Sequence, residues 1–168
     1  MGFIIRDAKK SDVKSILKLI KELAIFEREP NEVILTEQQL TIDGFQDQPK
    51  FKCFIAEIKK EVVGIALIYP RYSTWKGAAM HLEDLIVTEK HRGKGIGFAL
   101  FSKFIKYSYN QKVNRVQWVV LDWNQSAIDF YKNNGAQVLN DWRVALKDKN
   151  AIKKLSLIHI SEPTRLTR

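Results

Sequence analysis

The chain has 168 residues, 45% of them hydrophobic and 28% charged, enough to bury the core of one ordinary globular domain. That balance excludes a disordered chain, a collagen-like fibre and a disulfide scaffold. The 28 Lys and Arg against 19 Asp and Glu give a net charge of +9, which favours an anionic partner such as nucleic acid, a membrane surface or a phosphorylated small molecule.

The longest strongly apolar run free of charge, Val62 to Tyr69, has eight residues and contains Gly64. A spanning helix needs roughly 20, so no membrane segment is expected. The amino terminus reads Met-Gly-Phe-Ile-Ile-Arg-Asp, too short an apolar stretch for a secretory signal. A cytoplasmic protein is the expectation. Cys53 is the one cysteine, so no internal disulfide forms, and with His81, His91 and His159 it has no spacing suited to a metal site.

In chain order, Phe3 to Arg6 reads as a first strand. Val13, Ile16, Leu17, Ile20, Leu23 and Ala24 then recur at helical period after Ser11, predicting an amphipathic helix that stops near Pro30. Thr36 and Gln39 have capping-box spacing and predict a short helix to about Phe45. Phe51 to Ile58 and Val62 to Tyr69 are strand-like and joined through Lys59-Lys60-Glu61 as a hairpin. Met80 to Val87 follows the turn-like Ser73 to Gly77 and makes the third strand of a meander. Gly95 to Tyr109 reads as a helix, Val116 to Leu121 as a strand and Ser126 to Lys132 as a helix. Gln137 to Leu139 and Arg143 to Leu146 read as a last strand pair. Together these predict one α+β domain over residues 1–155 with a mixed sheet. Ser156 to Arg168 has neither period nor partner; it is expected to be a vector-derived tail.

The segment from His81 to Gly97 is the most informative. A strand runs into a loop with Gly93, Gly95 and Gly97 at alternate positions, and a helix starts there. Successive backbone N–H groups, aided by the helix dipole, suit a pyrophosphate. Glycine lets the backbone approach the anion and adopt positive φ. A Walker loop would need Lys then Ser or Thr after the last glycine, but Phe98 and Ala99 follow. A dinucleotide fingerprint would need glycine at Phe98 and a place in the first βαβ unit. Both fail, and a ligand-free glycine turn stands as the bland alternative.

The remaining pattern, Arg92-x-x-Gly95-x-Gly97, resembles the Arg/Gln-x-x-Gly-x-Gly/Ala motif of the GCN5-related N-acetyltransferases. The likeness extends to Glu83-Asp84-Leu85-Ile86-Val87 before the loop and to Asn124-x-x-Ala127-x-x-Phe130-Tyr131-x-x-x-Gly135 after it. With Lys21 to Ala24, Val33 to Glu37 and Asp43 to Phe45, the chain is similar to the spermidine/spermine branch of that family. The resemblance implies an α/β sandwich with about four helices. Its mixed, mostly antiparallel sheet would have six to seven strands and splay open near acetyl-CoA.

The resemblance also implies roles. The backbone of Leu85, Ile86 and Val87 would bind the pantetheine arm of acetyl-CoA. Arg92, Gly93, Lys94, Gly95, Ile96, Gly97 and Phe98 would take its pyrophosphate. Asn124, Ala127 and Asn133 would complete that site, and Tyr131 would protonate the leaving thiolate. Glu27 matches a position that meets the acceptor cation, and a homodimer is implied. No metal, nucleic acid or membrane partner is expected.

The chemistry is consistent with those roles, since acetyl transfer needs a neutral amine and a proton for the thiolate. A tyrosine hydroxyl can supply that proton. Glu83, on the strand beside the loop, can accept the amine's proton through water and touch the substrate. Strand alternation would let only one of Glu83 and Asp84 face the site, and Glu83 is the choice. The bland alternatives are that Phe130 and Tyr131 are core aromatics and Lys94 a solvated charge. Arg28 and Pro30 interrupt the acidic stretch after the first helix, and Phe26 stands where the branch has tyrosine. A polyamine, a diamine and an amino-acid side chain therefore stay open as acceptors. The alternatives are acetylation of a protein lysine or N-terminus, and a basic nucleic-acid module whose poor aromatic candidate is Phe51-Lys52-Cys53-Phe54.

Overall fold

The computed structural model describes residues 2–158, which form two compact units, residues up to 123 and residues from 124 onward. In the first unit, β1 (Ile4–Asp7) precedes helices α1 (Val13–Phe26) and α2 (Glu37–Gly44). Strands β2 (Lys52–Ile58), β3 (Glu61–Ser73) and β4 (Gly77–Val87), helix α3 (Ile96–Asn110) and strand β5 (Arg115–Gln117) follow. The second unit holds α4 (Gln125–Asn133) and α5 (Lys149–Ser156). No helix among the described residues is long and apolar enough to cross a membrane.

The sheet is mixed, with order β1-β2-β3-β4-β5; the first three pairings are antiparallel and β4–β5 is parallel. Strand alternation distributes the central strands' side chains to two cores. Cys53, Ile55, Ile65, Leu67 and Ile86 pack with Ile16 and Leu19 of α1. Phe54 faces the other way, its ring 5.5 Å from Tyr107 of α3. Trp118 completes that aromatic layer against Phe101 and Phe104. Burial on both faces explains why β2 and β3 read as nearly continuous apolar runs.

The hairpin predicted around Lys59 is tighter than expected. Lys59 and Lys60 alone make the turn, both at positive φ, and Glu61 already pairs with Ile58. Thr36 caps α2 by accepting from the Gln39 amide at 3.1 Å, but the Gln39 side chain donates to Asp43 instead of returning to the cap.

Among the described residues the expected six to seven strands are corrected to five, and the expected four or so helices become five. Gln137 to Leu139 and Arg143 to Leu146 form no strand. Leu139, Val144 and Leu146 are exposed, Leu146 at 83%. Alternating apolar residues supply a strand's side-chain pattern, but a strand also needs a partner edge for its backbone. The strand expected over Val116 to Leu121 shrinks to Arg115–Gln117, because pairing with β4 ends at His81. The added helix α5 starts at Asp148, whose carboxylate accepts from the Ala151 amide at 2.7 Å. The expected tail begins on its last residue, Ser156, and from His159 onward lies outside the described residues.

A charged network joins β1, β2 and the entry to α1. Arg6 donates to both oxygens of Asp12, at 2.7 and 2.9 Å, and to Glu57 at 2.7 Å. The Asp12 carboxylate also accepts from the Lys9 amide. The Arg6 guanidinium and these hydrogen bonds hold the Asp12 carboxyl below its usual range, against the opposing effect of burial. A lowered carboxyl stabilises the fold above its unfolded value and loses that contribution as pH falls. Arg6→Met is therefore expected to destabilise by roughly 2–3 kcal/mol at pH 7. Urea unfolding at pH 7 and 3 checks this, the difference shrinking at the lower pH as Asp12 protonates.

Candidate active site

β4 pairs with β3 as far as Val87, whereas β5 leaves it after His81. Among the described residues the edge of β4 from Leu82 to Val87 thus has no strand neighbour on that side, and Leu85, Ile86 and Val87 lie along it. Ile86 points into the core, and Leu85 and Val87 are half-buried.

After β4 the Thr88 amide donates to Val63 at 2.8 Å, a short 3-10 turn covers Glu89–His91, and the glycine loop follows. Gly93 and Gly95 have φ of 73° and 81°, the left-handed region that a β-carbon resists. A β-carbon at either would meet no atom within 4 Å, so the space over the loop is open. Gly97 differs, with an ordinary φ and room for a β-carbon 3.8 Å from Val87. Gly95 is the N-cap of α3 and offers no side-chain acceptor. The amides of Ile96, Gly97 and Phe98 have no helical acceptor before them and remain available to an anion. Ile96 is buried and anchors this end of the helix, while Phe98 is exposed.

Arg92 braces the loop. Its Nε donates to the Val87 carbonyl at 2.9 Å, and its guanidinium lies 3.9 Å from Glu22 and 5.5 Å over the Phe26 ring. Glu22, on α1, accepts from the Thr88 hydroxyl at 3.0 Å and from the Glu89 amide at 3.1 Å. No local spacing marks Glu22, because its partners are more than sixty residues away. Lys94 Nζ is exposed and 3.4 Å from His91 Nδ1.

On β4 a register shift falls between Leu67 and Ile68 of β3: Leu67 faces Asp84 and Ile68 faces Leu82. Glu83 is the extra residue of a bulge, which breaks strict alternation. The strict alternation behind the expectation that only one of Glu83 and Asp84 faces the site is therefore interrupted here. Both carboxylates interact electrostatically with each other and with Glu27 at the end of α1.

Glu83 Oε2 accepts from the Tyr69 hydroxyl at 3.0 Å and lies 3.3 Å from His81 Nε2. The Tyr69 and His81 rings stack with centroids 4.9 Å apart. His81 is buried, and its Nδ1 has no hydrogen-bond partner among the described residues. Hydrogen bonds from His81 and Tyr69 keep Glu83 below the usual carboxyl range despite burial. Burial, then the charges of Glu83 and Glu27, push Asp84 up to about 7. Burial and Glu83 raise Glu27 as well. Two adjacent carboxyls thus have different protonation tendencies, the arrangement that separates acid from base at one site. Tyr69, His81 and Asp84 were missed by sequence reasoning. The last was visible in Glu83-Asp84 but set aside by alternation.

Cys53 is buried, which pushes its thiol up and leaves it unsuited to nucleophilic work. Among the described residues no group of three His, Cys, Asp or Glu could hold a metal.

In the second unit, Asn124 caps α4 by accepting from the Ala127 amide at 3.2 Å, so both residues have a structural task of their own. Tyr131 is 9% exposed and packs edge-on to Phe130 at 5.4 Å. Asn133 is exposed at the helix end. The helix closes through Gly135, at positive φ, with the Ala136 amide returning to the Tyr131 carbonyl at 3.0 Å.

A glycine loop at a helix start near clustered carboxylates is shared by many folds, and comparison with known proteins decides between them. Residues 14–136 match the acetyltransferase (GNAT) family. The chain belongs to that family. It is 38% identical to the thialysine N-epsilon-acetyltransferase of Bos taurus, covering 93% of this chain and 99% of that one. It is also 38% identical to the spermidine/spermine N(1)-acetyltransferase-like protein 1 of Homo sapiens, over 80% of this chain and 20% of that protein. An integron cassette protein of V. cholerae shares the fold with a TM-score of 0.76 at 23% identity, covering 94% of this chain and 99% of that chain. These likenesses agree with the family and branch that the Arg92 to Gly97 and Asn124 to Gly135 patterns resemble.

The Asp84 shift gives a stability test with a definite sign. A carboxyl raised on folding holds its proton between its unfolded value near 4 and about 7, so native stability falls as pH rises through that window. Asp84→Asn is expected to flatten this slope and to stabilise the protein at pH 8 by on the order of 2–4 kcal/mol, with little gain at pH 4. Urea unfolding at the two pH values measures it.

Proposed function

We propose that this GNAT enzyme transfers the acetyl group of acetyl-CoA to the primary amine of a small molecule, a polyamine, a diamine or an amino-acid side chain. The observation that carries the reading is the succession, along the half of β4 that β5 leaves unpaired, of the carboxylates Glu83 and Asp84 and then an anion-binding loop. The loop suits a pyrophosphate and the carboxylates an ammonium group. The curated relatives named for thialysine and spermidine/spermine support the same substrate class. The basic nucleic-acid alternative loses its aromatic candidate, since Phe54 is fully buried and Lys52 pairs with Asp7.

When bound, acetyl-CoA supplies an activated acetyl thioester. The loop from Arg92 to Phe98, with Lys94 adding charge, holds the pyrophosphate, and the freed edge at Leu85, Ile86 and Val87 positions the pantetheine arm. Asn124, Ala127 and Asn133 complete the binding surface. Glu83 keeps its charge and meets the incoming ammonium. The proton passes to the Glu83–Asp84 pair, in which Asp84 is the member that holds a proton near neutrality. The neutral amine attacks the thioester carbonyl, and Tyr131 gives a proton to the departing thiolate. Glu27 holds a second polar group of the acceptor. As the resemblance implies, the protein works as a homodimer; its acetyltransferase domain lies in residues 1–155, and the sequence places it in the cytoplasm.

Acetyl-CoA at about 100 times its dissociation constant is expected to add about 2.7 kcal/mol of stability, read as a rise in Tm. Gly95→Ala costs about 1 kcal/mol for its positive φ and meets no protein atom within 4 Å. It should fold yet lose most of the acetyl-CoA shift. A full shift in that variant would remove Gly95 from the cradle.

Turnover separates the two proton-handling groups. Tyr131→Phe keeps the ring and removes the hydroxyl, so kcat should fall by about 10² to 10⁴ with acetyl-CoA binding intact. Glu83→Gln should instead move the low-pH limb of the rate profile upward. A screen of acetyl-CoA consumption with polyamines, lysine analogues and basic peptides tests the reading as a whole; acetylation of peptides alone would favour the protein-lysine alternative.

A further inference from the structure

Helix α1 ends in a turn that ordinarily calls for glycine. The Arg28 amide donates to Ile25 at 3.1 Å and the Glu29 amide to Ala24 at 2.9 Å, the paired bonds of a Schellman closure. The left-handed position of that closure is occupied by Arg28, at φ 66°. A side chain held in a conformation its backbone disfavours invites the question of what it does there.

The Arg28 guanidinium lies 4.1 Å above the Trp123 ring, and Trp123 in turn packs on Phe26, ring centroids 5.8 Å apart. Stacking fixes the plane of the guanidinium and leaves its hydrogen-bonding edge available, the form in which arginine grips a carboxylate with two parallel bonds. Arg28 forms no ion pair among the described residues, although Glu27, Glu29 and Glu32 surround it in sequence. Its immediate neighbour Glu27 interacts electrostatically with Glu83 and Asp84.

A carboxylate and a guanidinium side by side at the edge of an amine site are the complement of an amino acid's head, which carries one ammonium and one carboxylate. A diamine or polyamine offers that edge a second cation only. Glu27 would attract it and Arg28 repel it. We propose that Arg28 is a specificity-determining residue that binds the α-carboxylate of a free basic amino acid, whose side-chain amine is the group acetylated. Glu27 then takes the α-ammonium, and the side-chain amine extends towards Glu83. The inference rests on the reading of the Glu83 site as the place where an amine accepts acetyl.

The test compares L-lysine with cadaverine, which has the same amine-bearing chain without the carboxylate, and with L-lysine amide, whose carboxylate is neutralised. The natural protein should favour L-lysine over both by about tenfold or more in kcat/KM. Arg28→Gly suits the left-handed turn, so its Tm should hold or rise, while the lysine-to-cadaverine ratio falls to near one through KM. Arg28→Lys should keep part of the preference, since it retains the charge but not the fork. A ratio unchanged in Arg28→Gly, or a natural protein that favours cadaverine, would overturn the role of Arg28 while leaving the acetyltransferase reading intact. Absence of acetylation on every amine tried would overturn that reading and the inference with it.

Discussion

Everything in the first unit turns on the unequal pairing of β4. On one side it is bonded to β3 along nearly its whole length, and on the other it is bonded to β5 for three residues only. The long pairing holds the strand rigid between two apolar layers, with Ile86 buried against α1 and Leu82 also fully enclosed. The short pairing leaves the backbone of the second half of the strand open to one side. A sheet edge with unsatisfied groups is normally a liability. Here it lies where the chain passes into the glycine loop and the start of α3, so the open edge, the loop amides and the helix end form one continuous polar surface.

The same strand concentrates negative charge in a protein that is positive overall. The bulge at Glu83 brings two consecutive carboxylates into electrostatic reach of Glu27. Burying like charges together raises the proton affinity of the least solvated one, and Asp84 is that member. Glu83 escapes by accepting hydrogen bonds from Tyr69 and His81. The two carboxyls thereby divide between a fixed charge and a group able to exchange a proton near neutrality. This arrangement opposes stability, as perturbed groups at functional sites commonly do.

The loop is held from outside. Its own glycines supply conformational freedom but no rigidity, so its shape depends on Arg92 gripping the end of β4 and on Glu22 capping Thr88 and Glu89. Arg92, Phe26, Trp123 and Arg28 form a row in which two cations flank a pair of rings. That row ties the end of α1, where the acceptor is proposed to bind, to the loop proposed to bind acetyl-CoA.

Periodicity and motif spacing were sufficient for much of this. The α1 positions Val13, Ile16, Leu17 and Ala24, the β2–β4 meander and the strand-to-helix loop at Gly93 and Gly95 follow from local rules, because a helix, a hairpin and a left-handed glycine are each decided within a few residues. The patterns around Arg92 and Tyr131 were specific enough to point to the family. What local rules could not reach depended on distant partners. Gln137 to Leu146 alternates like a strand pair but finds no edge, and β5 stops at Gln117, where its pairing with β4 ends. Glu22 acquires its role from residues more than sixty positions on. Above all, the bulge that breaks the alternation at Glu83 and Asp84 is a mismatch between two strands, and a mismatch belongs to the pair and cannot be read from either strand alone.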